Sequence, residues 1–345
     1  MSDVEQILIG IDLGTSRTAL MTNLGTKAML ASVVGYPRDL IGVKLLGAPR
    51  VVGDEALERR SYLDLYYPLE DGVLKEAGER DLEATTELIK HVVTIAKANA
   101  TSTNPKVCGI IGVPARASSA NKDHLLKMTQ DILDISLVVS EPFMVGYGQD
   151  YLLNTIVIDI GAGTTDICAL KGKIPGNDDQ VTLLKAGNFI NEVLEAAIKQ
   201  RYPEAQLTQH LVQTLKETHS FVGEPEEPVI VTLRCNGKPV SFDITEEMKT
   251  ACESIVLEVV EQVKNLLKGF DPEVQKDVLQ NIVLAGGGAR IKGLGQMIAN
   301  LLADYGDVSV SIVEDTDYAG SVGALKLATD LPPEYWSQLG DMIGA

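Results

Sequence analysis

The sequence predicts an α/β protein built from two domains. Short apolar segments alternate with amphipathic segments of helical period along the chain, which is the pattern of strands and helices that share a sheet. A glycine-rich turn between two apolar strands occurs twice, once in each half. The length of 345 residues is sufficient for two hydrophobic cores.

The second glycine-rich turn is the stretch around which the chain is organised. It reads Asp159-Ile160-Gly161-Ala162-Gly163-Thr164-Thr165-Asp166 and lies between the apolar segments 155–158 and 167–170, which predicts strand, tight turn and strand. Glycines at 161 and 163 accept positive φ and admit a ligand close to the backbone. The N–H groups and the Thr164 and Thr165 hydroxyls would then face an anion such as phosphate. An ordinary glycine-rich β-turn is the alternative.

The first glycine-rich turn has the same order of residue types. An apolar strand is followed by Asp12, Leu13, Gly14, Thr15 and Ser16. Asp12 and Asp159 carry the wrong charge for a phosphate, and they make sense if a divalent cation lies between carboxylate and phosphate. Two such turns could bind one polyphosphate from opposite sides, each bringing a carboxylate to a shared Mg²⁺.

Composition and charge exclude several classes of protein. Apolar residues make up 45% of the chain and charged residues 23%, and no apolar run approaches the ~20 residues of a membrane-spanning helix. The polar, acidic N-terminus does not resemble a signal peptide, so we predict a cytoplasmic protein without membrane insertion. A formal charge of −18 argues against nucleic acid as a partner and against anionic lipid. The four cysteines form no C-x-x-C pair and are predicted to be buried thiols.

The first half of the chain alternates strands with helices. We predict strands at 7–13, 19–22, 27–34, 107–113 and 137–139, helices at 82–100, 119–134 and 143–149, and a small inserted lobe at 35–67.

The second half repeats this plan. We predict strands at 155–160, 165–170, 181–186, 281–285 and 308–312, helices at 188–201, 208–222, 291–304 and 318–328, and a hairpin of 229–235 with 239–244 around Asn236-Gly237. Thr245 is expected to cap a helix that continues to about residue 268. Beyond Pro332 and Pro333, a tail helix is predicted from the spacing of Tyr335, Trp336, Leu339, Met342 and Ile343. That tail helix could dock on its own domain or on a partner.

Five motifs follow one another in a fixed order, at residues 12–15, 140–142, 159–165, 284–293 and 318–324. Their order resembles the phosphate-1, connect-1, phosphate-2, adenosine and connect-2 motifs of the actin, Hsp70 and sugar-kinase superfamily. Within it, residues 68–73 and 112–115 are similar to segments of the MreB-type bacterial actins. The sequence most closely resembles the actin-like filament proteins of magnetosome chains.

This resemblance implies an actin-like ATPase fold, with two RNase H-like domains around a nucleotide cleft. The implied subdomains are IA (1–32, 68–145 and 316–345), IB (33–67), IIA (146–181 and 251–315) and IIB (182–250). It also implies ATP or ADP with Mg²⁺ as cofactors, and ATP hydrolysis coupled to a head-to-tail homopolymer filament. Adaptor proteins of the organelle are the implied partners, and the implied location is alongside magnetosome membranes.

The resemblance assigns the site residues. Gly14, Thr15 and Ser16 would hold one side of the phosphates, and Gly161, Gly163, Thr164 and Thr165 the other. Asp12 and Asp159 would hold the hydrated Mg²⁺, with Asp159 also catalytic. The adenine side would be lined by Gly286, Gly287 and Arg290, and Lys216 with Glu217 would reach the ribose and base.

Glu141 lies where the family places the residue that positions the attacking water. A carboxylate there can act as a general base. The alternative is that Glu141 caps the following helix. Eukaryotic actin has a lysine in its first phosphate loop, whereas this chain has Arg17, which could replace that charge or face solvent.

Two other functions are open on the same fold. A small-molecule kinase would need a site for an acceptor hydroxyl, and no distinct acceptor pocket is evident in the sequence. A monomeric nucleotide-dependent scaffold is the other alternative. Polymer formation with ATP and Mg²⁺ distinguishes a filament protein from both.

Overall fold

The computed structural model describes residues 5–75 and 78–336, which fold into two compact units. The first unit consists of two segments, one up to Tyr151 and one from Asp317 onward. The second unit comprises Leu152–Thr316. The finer division into four subdomains stays a prediction.

The first unit contains ten strands and six helices among its described residues. Its strands are β1 (Gln6–Leu13), β2 (Arg17–Thr22), β3 (Lys27–Ala31), β4 (Val34–Pro37), β5 (Val51–Val52), β6 (Leu63–Tyr66), β7 (Leu69–Glu70), β8 (Val73–Leu74), β9 (Lys106–Val113) and β10 (Ile135–Ser140). Its helices are α1 (Leu40–Leu46), α2 (Asp54–Glu58), α3 (Glu79–Ala96), α4 (Ser119–Thr129), α5 (Glu141–Gly148) and, from the returning chain, α12 (Ala319–Asp330).

A five-stranded mixed sheet forms the centre of the first unit, in the order β10-β9-β1-β2-β3. β1 is parallel to β9 and antiparallel to β2. Alternate residues of a strand face opposite sides of the sheet, so Ile9 and Ile111 pack with α3, whereas Cys108 and Ile110 pack with Ala324 of α12. The sheet is therefore covered by helices on both faces, and its polar residues lie at the strand ends.

The predicted inserted lobe is a small sheet with two short helices. Its strand order is β5-β4-β6, and α1 and α2 belong to the same segment of chain. Tyr36 of β4 and Tyr66 of β6 stack edge to face, with ring centroids 5.5 Å apart. The Tyr66 ring therefore packs inside the lobe.

The second unit repeats this architecture. Its strands are β11 (Leu153–Ile160), β12 (Thr165–Lys171), β13 (Gln180–Leu183), β14 (Ala205–Gln206), β15 (Ile230–Cys235), β16 (Lys238–Asp243), β17 (Ile282–Ala285) and β18 (Val310–Ile312). Its helices are α6 (Gly187–Arg201), α7 (Gln209–His219), α8 (Thr245–Glu253), α9 (Val256–Leu267), α10 (Gln275–Leu279) and α11 (Leu294–Leu301).

The central sheet of the second unit has the order β13-β12-β11-β17-β18. β11 is antiparallel to β12 and parallel to β17, as β1 is to β2 and β9. The two sheets therefore have the same strand order and directions, and the predicted repetition of the plan is confirmed.

The prediction of one continuous helix capped by Thr245 is wrong in two respects. The N-cap is Ile244, and the Thr245 hydroxyl instead accepts the Val229 amide at 2.8 Å and donates to Asp243 Oδ1 at 2.6 Å. The helix is also divided into α8 and α9 near Ser254. Thr245 thus ties the β15–β16 hairpin to the helix that follows it.

The tail prediction is tested only at its start. Trp336 is buried, and its indole Nε1 donates to the Ala328 carbonyl of α12 at 3.2 Å, so this part of the tail docks on its own unit. Leu339, Met342 and Ile343 lie outside the described residues. Over the described ranges, no helix has the length and apolar character that crossing a membrane requires.

Candidate functional site

The first candidate loop follows β1 and is held in place by three hydrogen bonds of Ser32 and Thr15. Ser32 donates through its hydroxyl to the Gly14 carbonyl at 2.6 Å and through its amide to the Ser16 carbonyl at 2.9 Å. The Thr15 hydroxyl oxygen accepts the Gly72 amide at 2.9 Å, so its proton can still be donated to a ligand. The Gly14 and Ser16 carbonyls thus accept hydrogen bonds from Ser32, and a loop fixed in this way is suited to present N–H and hydroxyl donors.

Asp12 lies at the end of β1, directly against the first turn of α12. A Cβ atom at Gly320 would lie 2.4 Å from Asp12 Oδ2, so only glycine leaves space for this carboxylate. Burial raises the pKa of the Asp12 carboxyl to about 6. A carboxylate held in this way gains from a cation that replaces the lost water.

Glu141 reaches the same edge of the same sheet. Asp12 is paired with Gly112 of β9, and Gly112 is paired with Val139 of β10, two residues before Glu141. The two acidic residues therefore lie two strands apart, roughly 10 Å at the usual strand spacing. Ser140 occupies the N-cap, so Glu141 is the first residue of α5 and not its cap.

The turn at 159–166 is the predicted hairpin. Gly161 donates its amide to the Thr164 carbonyl at 2.9 Å, and β11 and β12 pair on either side. Neither Gly161 nor Gly163 has a positive φ, so the prediction of a left-handed backbone at these two glycines is wrong. Instead, the neighbouring segments hold this turn in shape.

Thr165 requires a correction. Its side chain is fully buried, and its hydroxyl donates to the Lys185 carbonyl at 2.9 Å, so the hydroxyl proton is not available to a phosphate. Thr164, one residue earlier, lies in the turn itself, before β12 begins. The neighbouring Asp166 is also buried, and it accepts the Thr182 hydroxyl at 2.6 Å.

The N-terminus of α6 is hydrogen-bonded to this turn. Gly187 and Asn188 donate their amides to the Gly161 and Ala162 carbonyls at 3.0 and 2.7 Å. Lys216 donates to the Gly187 carbonyl at 2.9 Å, which places its ammonium group beside the turn. Burial lowers the pKa of Lys216. The Lys216 charge therefore lies at the phosphate-2 motif itself.

The glycine turn after β17 lies against Asp159. Asp159 is paired with Ala285, and Gly286 follows with a φ of 73°. A Cβ atom at Gly286 would lie 2.3 Å from Asp159 Oδ1. A Cβ at Gly287 would meet nothing within 4 Å, so the surface above it is open. The turn continues as a short 3₁₀ helix to Arg290, whose side chain is exposed.

The predicted site residues thus form two groups, one in each unit. The first unit brings together Asp12, residues 14–16 and Glu141, and the second brings together Asp159, residues 161–164, Lys216 and residues 286–290. Glu217 is exposed and accepts the Gln213 amide nitrogen at 2.8 Å. Sequence reasoning missed the roles of Gly72, Gly187 and Gly320, although residues 72 and 320 lie inside the motifs that it singled out.

Comparison with known proteins identifies the family. The sequence profile of the MreB/Mbl protein family matches residues 6–332. The chain is 55% identical to the actin-like protein MamK of Paramagnetospirillum magneticum (strain ATCC 700264 / AMB-1), over 99% of this chain and 97% of that protein.

Two solved structures are similar over 95% of this chain and all of theirs, each with 54% identity. One is a MamK double helical filament, with a TM-score of 0.92, and the other is a non-polymerising MamK mutant bound to AMPPNP, with a TM-score of 0.73. The actin-like class predicted for the fold is thereby confirmed. The extent of these matches shows that the chain belongs to the MreB/Mbl family of actin-like proteins.

Proposed function

We propose that this chain is an actin-like ATPase that assembles head-to-tail into filaments, and that these filaments organise magnetosomes in a chain with the help of adaptor proteins. The observation that carries the proposal is the repeated loop. Each unit places an aspartate and a glycine-containing turn at the end of the equivalent strand, β1 in one and β11 in the other. Support also comes from the MamK relatives, one solved as a filament and one bound to AMPPNP.

The donor set fits a magnesium nucleotide. Asp12 and Asp159 are each packed against a glycine whose Cβ would displace the carboxylate, so both side chains are held at strand ends. In the described part of the chain, no three His, Cys, Asp or Glu side chains form a cluster able to hold a metal. Mg²⁺ usually keeps several waters and takes one or two carboxylates plus phosphate oxygens, which agrees with two separate aspartates.

The chain's own residues would divide the binding of ATP among them. Amides of residues 14–16 and the Thr15 hydroxyl would donate to one side of the phosphates, and those of residues 161–164 to the other. Lys216, beside the second turn, would add a positive charge there. Lys216 would therefore contact the phosphates and not the ribose, because its ammonium group donates to the Gly187 carbonyl beside this turn. Gly286, the open face of Gly287, Arg290 and Glu217 would form the nucleoside side.

Hydrolysis would use Glu141 as the general base. Glu141 is half-buried at the same sheet edge as Asp12, where its carboxylate could accept a proton from a water beside the γ-phosphate. The bound Mg²⁺ would stabilise negative charge on the phosphate oxygens. Asp12 and Asp159 would orient that ion, and Asp159 would thereby contribute to catalysis as a positioning group.

The test is a combined measurement of sedimentation and phosphate release with ATP and Mg²⁺. The wild-type protein should pellet as filaments and release phosphate without any acceptor, which a small-molecule kinase would not do. Glu141→Gln should reduce phosphate release by about 100-fold or more, while filaments still form. Asp159→Ala should also slow phosphate release.

The matched control is Glu261→Gln, which changes an exposed glutamate of α9 and should release phosphate at the wild-type rate. Wild-type turnover by Glu141→Gln would remove Glu141 from catalysis. A wild-type protein that stays monomeric under all nucleotide conditions would contradict the filament proposal.

A further inference from the structure

The turn between β15 and β16 consists of two residues, Asn236 and Gly237, and both are exposed. Their φ angles are 50° and 82°, so both lie in the left-handed region, as a two-residue hairpin loop of type I′ requires. A Cβ atom at Gly237 would meet nothing within 4 Å. The space beside the backbone of Gly237 is therefore open.

We propose that Asn236 is a site of spontaneous modification, where the side-chain amide is lost and the backbone rearranges to isoaspartate. The amide nitrogen of Gly237 attacks Cγ of Asn236 and forms a C–N bond, while the bond from Cγ to the side-chain nitrogen breaks. Ammonia leaves with the proton that the Gly237 nitrogen gives up, and a succinimide ring remains. Water then opens the ring at either carbonyl carbon, which gives aspartate or isoaspartate. The net reaction consumes water and releases ammonia, with no change in oxidation state.

The residue after an asparagine determines how readily this ring closes. A side chain on that residue shields the attacking nitrogen, and glycine has none. Asn236-Gly237 is the single Asn-Gly pair in the sequence. The same two residue types are favoured in a type I′ turn, because both tolerate positive φ. The residues that form the turn are therefore also the residues that make it chemically labile.

Positive charge lies close to the attacking nitrogen. The Arg234 guanidinium donates to the Gly237 carbonyl at 3.0 Å, and Lys238 follows directly in the sequence. The attacking species is the deprotonated Gly237 amide, and nearby cations favour the deprotonated form of a group. The charges of Arg234 and Lys238 thus favour closure of the ring.

The end of the hairpin away from the turn is fastened by hydrogen bonds. Val229 donates its amide to the Thr245 hydroxyl at 2.8 Å, and its carbonyl accepts the Ile244 amide at 3.0 Å. Isoaspartate lengthens the backbone of the turn and adds a negative charge, which is incompatible with the present pairing of Cys235 with Lys238. We therefore expect the modification to loosen the tip of the hairpin and to leave its fastened end in place.

The test follows the folded, nucleotide-free protein during incubation at neutral pH. Mass spectrometry of the peptide that contains residue 236 detects deamidation, and an isoaspartate O-methyltransferase with a labelled methyl donor detects the isoaspartate. We expect Asn236 to be modified at least about tenfold faster than Asn154 and Asn177, because glycine leaves the attacking nitrogen unshielded.

Asn154 and Asn177 are matched internal controls. Asn154 shares the left-handed backbone, with a φ of 50°, but is followed by the β-branched Thr155. Asn177 shares the exposure of Asn236 but is followed by Asp178. A rate at Asn236 that is no higher than at either control would overturn the proposal.

Asn236→Gly removes the side-chain amide and keeps a turn sequence that accepts positive φ at both positions. Methyl labelling of the incubated protein should fall at least about tenfold in this variant, and labelling at the wild-type level would overturn the assignment to Asn236. Wild-type protein unfolded in urea gives the rate without the hairpin. A native rate more than about a hundredfold lower would show that the folded turn prevents ring closure, and would also overturn the proposal.

Hydrogen exchange of the incubated protein tests the structural consequence. The amides of Cys235 and Lys238 should lose protection at least about tenfold in the isoaspartate form, whereas the Val229 amide should exchange as in fresh protein. Unchanged protection at Cys235 and Lys238 would overturn the expected loosening of the tip. Loss of protection at Val229 as well would show that the change is not confined to the tip.

Discussion

At the scale of single residues, the binding role proposed for Asp12 comes with a cost to the unliganded protein. Its carboxylate lies against Gly320, and burial raises its pKa to about 6. In water the usual value is about 4, so the ionised form is less stable in the folded protein than in the unfolded chain. A site that binds a cation needs the ionised form, and this need explains why an unfavourable carboxylate would be kept.

This cost has a definite pH dependence. The folded-state pKa is raised, so the destabilisation is absent below about pH 4, grows between about pH 4 and pH 6, and is complete above about pH 6. Asp12→Asn should therefore stabilise the nucleotide-free protein by about 1–2 kcal/mol at pH 7.5. That is less than the full shift would give, because the side chain is partly exposed. The gain should disappear at about pH 4.

Urea unfolding in EDTA, followed by tryptophan fluorescence, measures this effect. Trp336 is the single tryptophan of the chain and lies buried in the same unit as Asp12. Asp271→Asn, at an exposed position of the second unit, should not change this transition. A variant at position 12 that is equally stable or less stable at pH 7.5 would show that the Asp12 carboxylate is not destabilising.

At the scale of elements, the turn after β17 separates a structural glycine from one that leaves space for a ligand. A Cβ atom at Gly288 would lie 2.3 Å from the Cγ2 atom of Ile160, whereas a Cβ at Gly287 would meet nothing within 4 Å. Adjacent glycines of one motif therefore have different reasons to be glycine. Gly288 permits the close packing of the turn on β11, and Gly287 leaves an open surface.

The two alanine variants should accordingly behave differently. Gly288→Ala should destabilise the protein by about 1–3 kcal/mol through overpacking against Ile160. Gly287→Ala should keep the wild-type melting temperature but weaken ATP binding about tenfold if the nucleoside lies on this surface. Thermal melting and calorimetric titration with ATP measure the two effects. Wild-type ATP affinity in Gly287→Ala would place the nucleoside elsewhere.

The order of the elements could be predicted from the sequence, because apolar periodicity and glycine turns report on local backbone and burial. Hydrogen bonds between distant segments could not be predicted in the same way. Thr245 has the residue type of an N-cap, but its hydroxyl bonds the Val229 amide and Asp243. Thr165 has the residue type of a phosphate donor, but its hydroxyl bonds the Lys185 carbonyl. In both cases a polar side chain had two possible partners, and the choice depends on the folded neighbourhood.

At the scale of the whole molecule, the repeated sheet explains why two aspartates that are far apart in the sequence can serve one kind of chemistry. β1 and β11 each have an antiparallel partner that follows a glycine-containing turn, and a parallel partner on the other side. Each strand therefore ends at an edge where backbone donors and one carboxylate meet. A duplicated architecture supplies two such edges from one local sequence pattern.

The net charge is the second property of the whole molecule that bears on assembly. With 48 acidic and 30 basic side chains, copies of the chain repel one another at low ionic strength. An apolar contact between copies is little affected by salt of moderate concentration, whereas the repulsion between their charges is screened. The two contributions can therefore be separated by ionic strength.

We expect the critical concentration for assembly to fall as salt rises. Between about 20 and 200 mM KCl the Debye length decreases from roughly 20 to 7 Å, which screens the repulsion between neighbouring copies. Sedimentation at fixed, saturating Mg²⁺ and ATP measures this dependence. Replacing the exposed Glu226 and Glu227 with Gln removes two negative charges from the loop at 223–228 and should reduce the slope with salt. A critical concentration that rises with salt would show instead that ion pairs dominate the contact between copies.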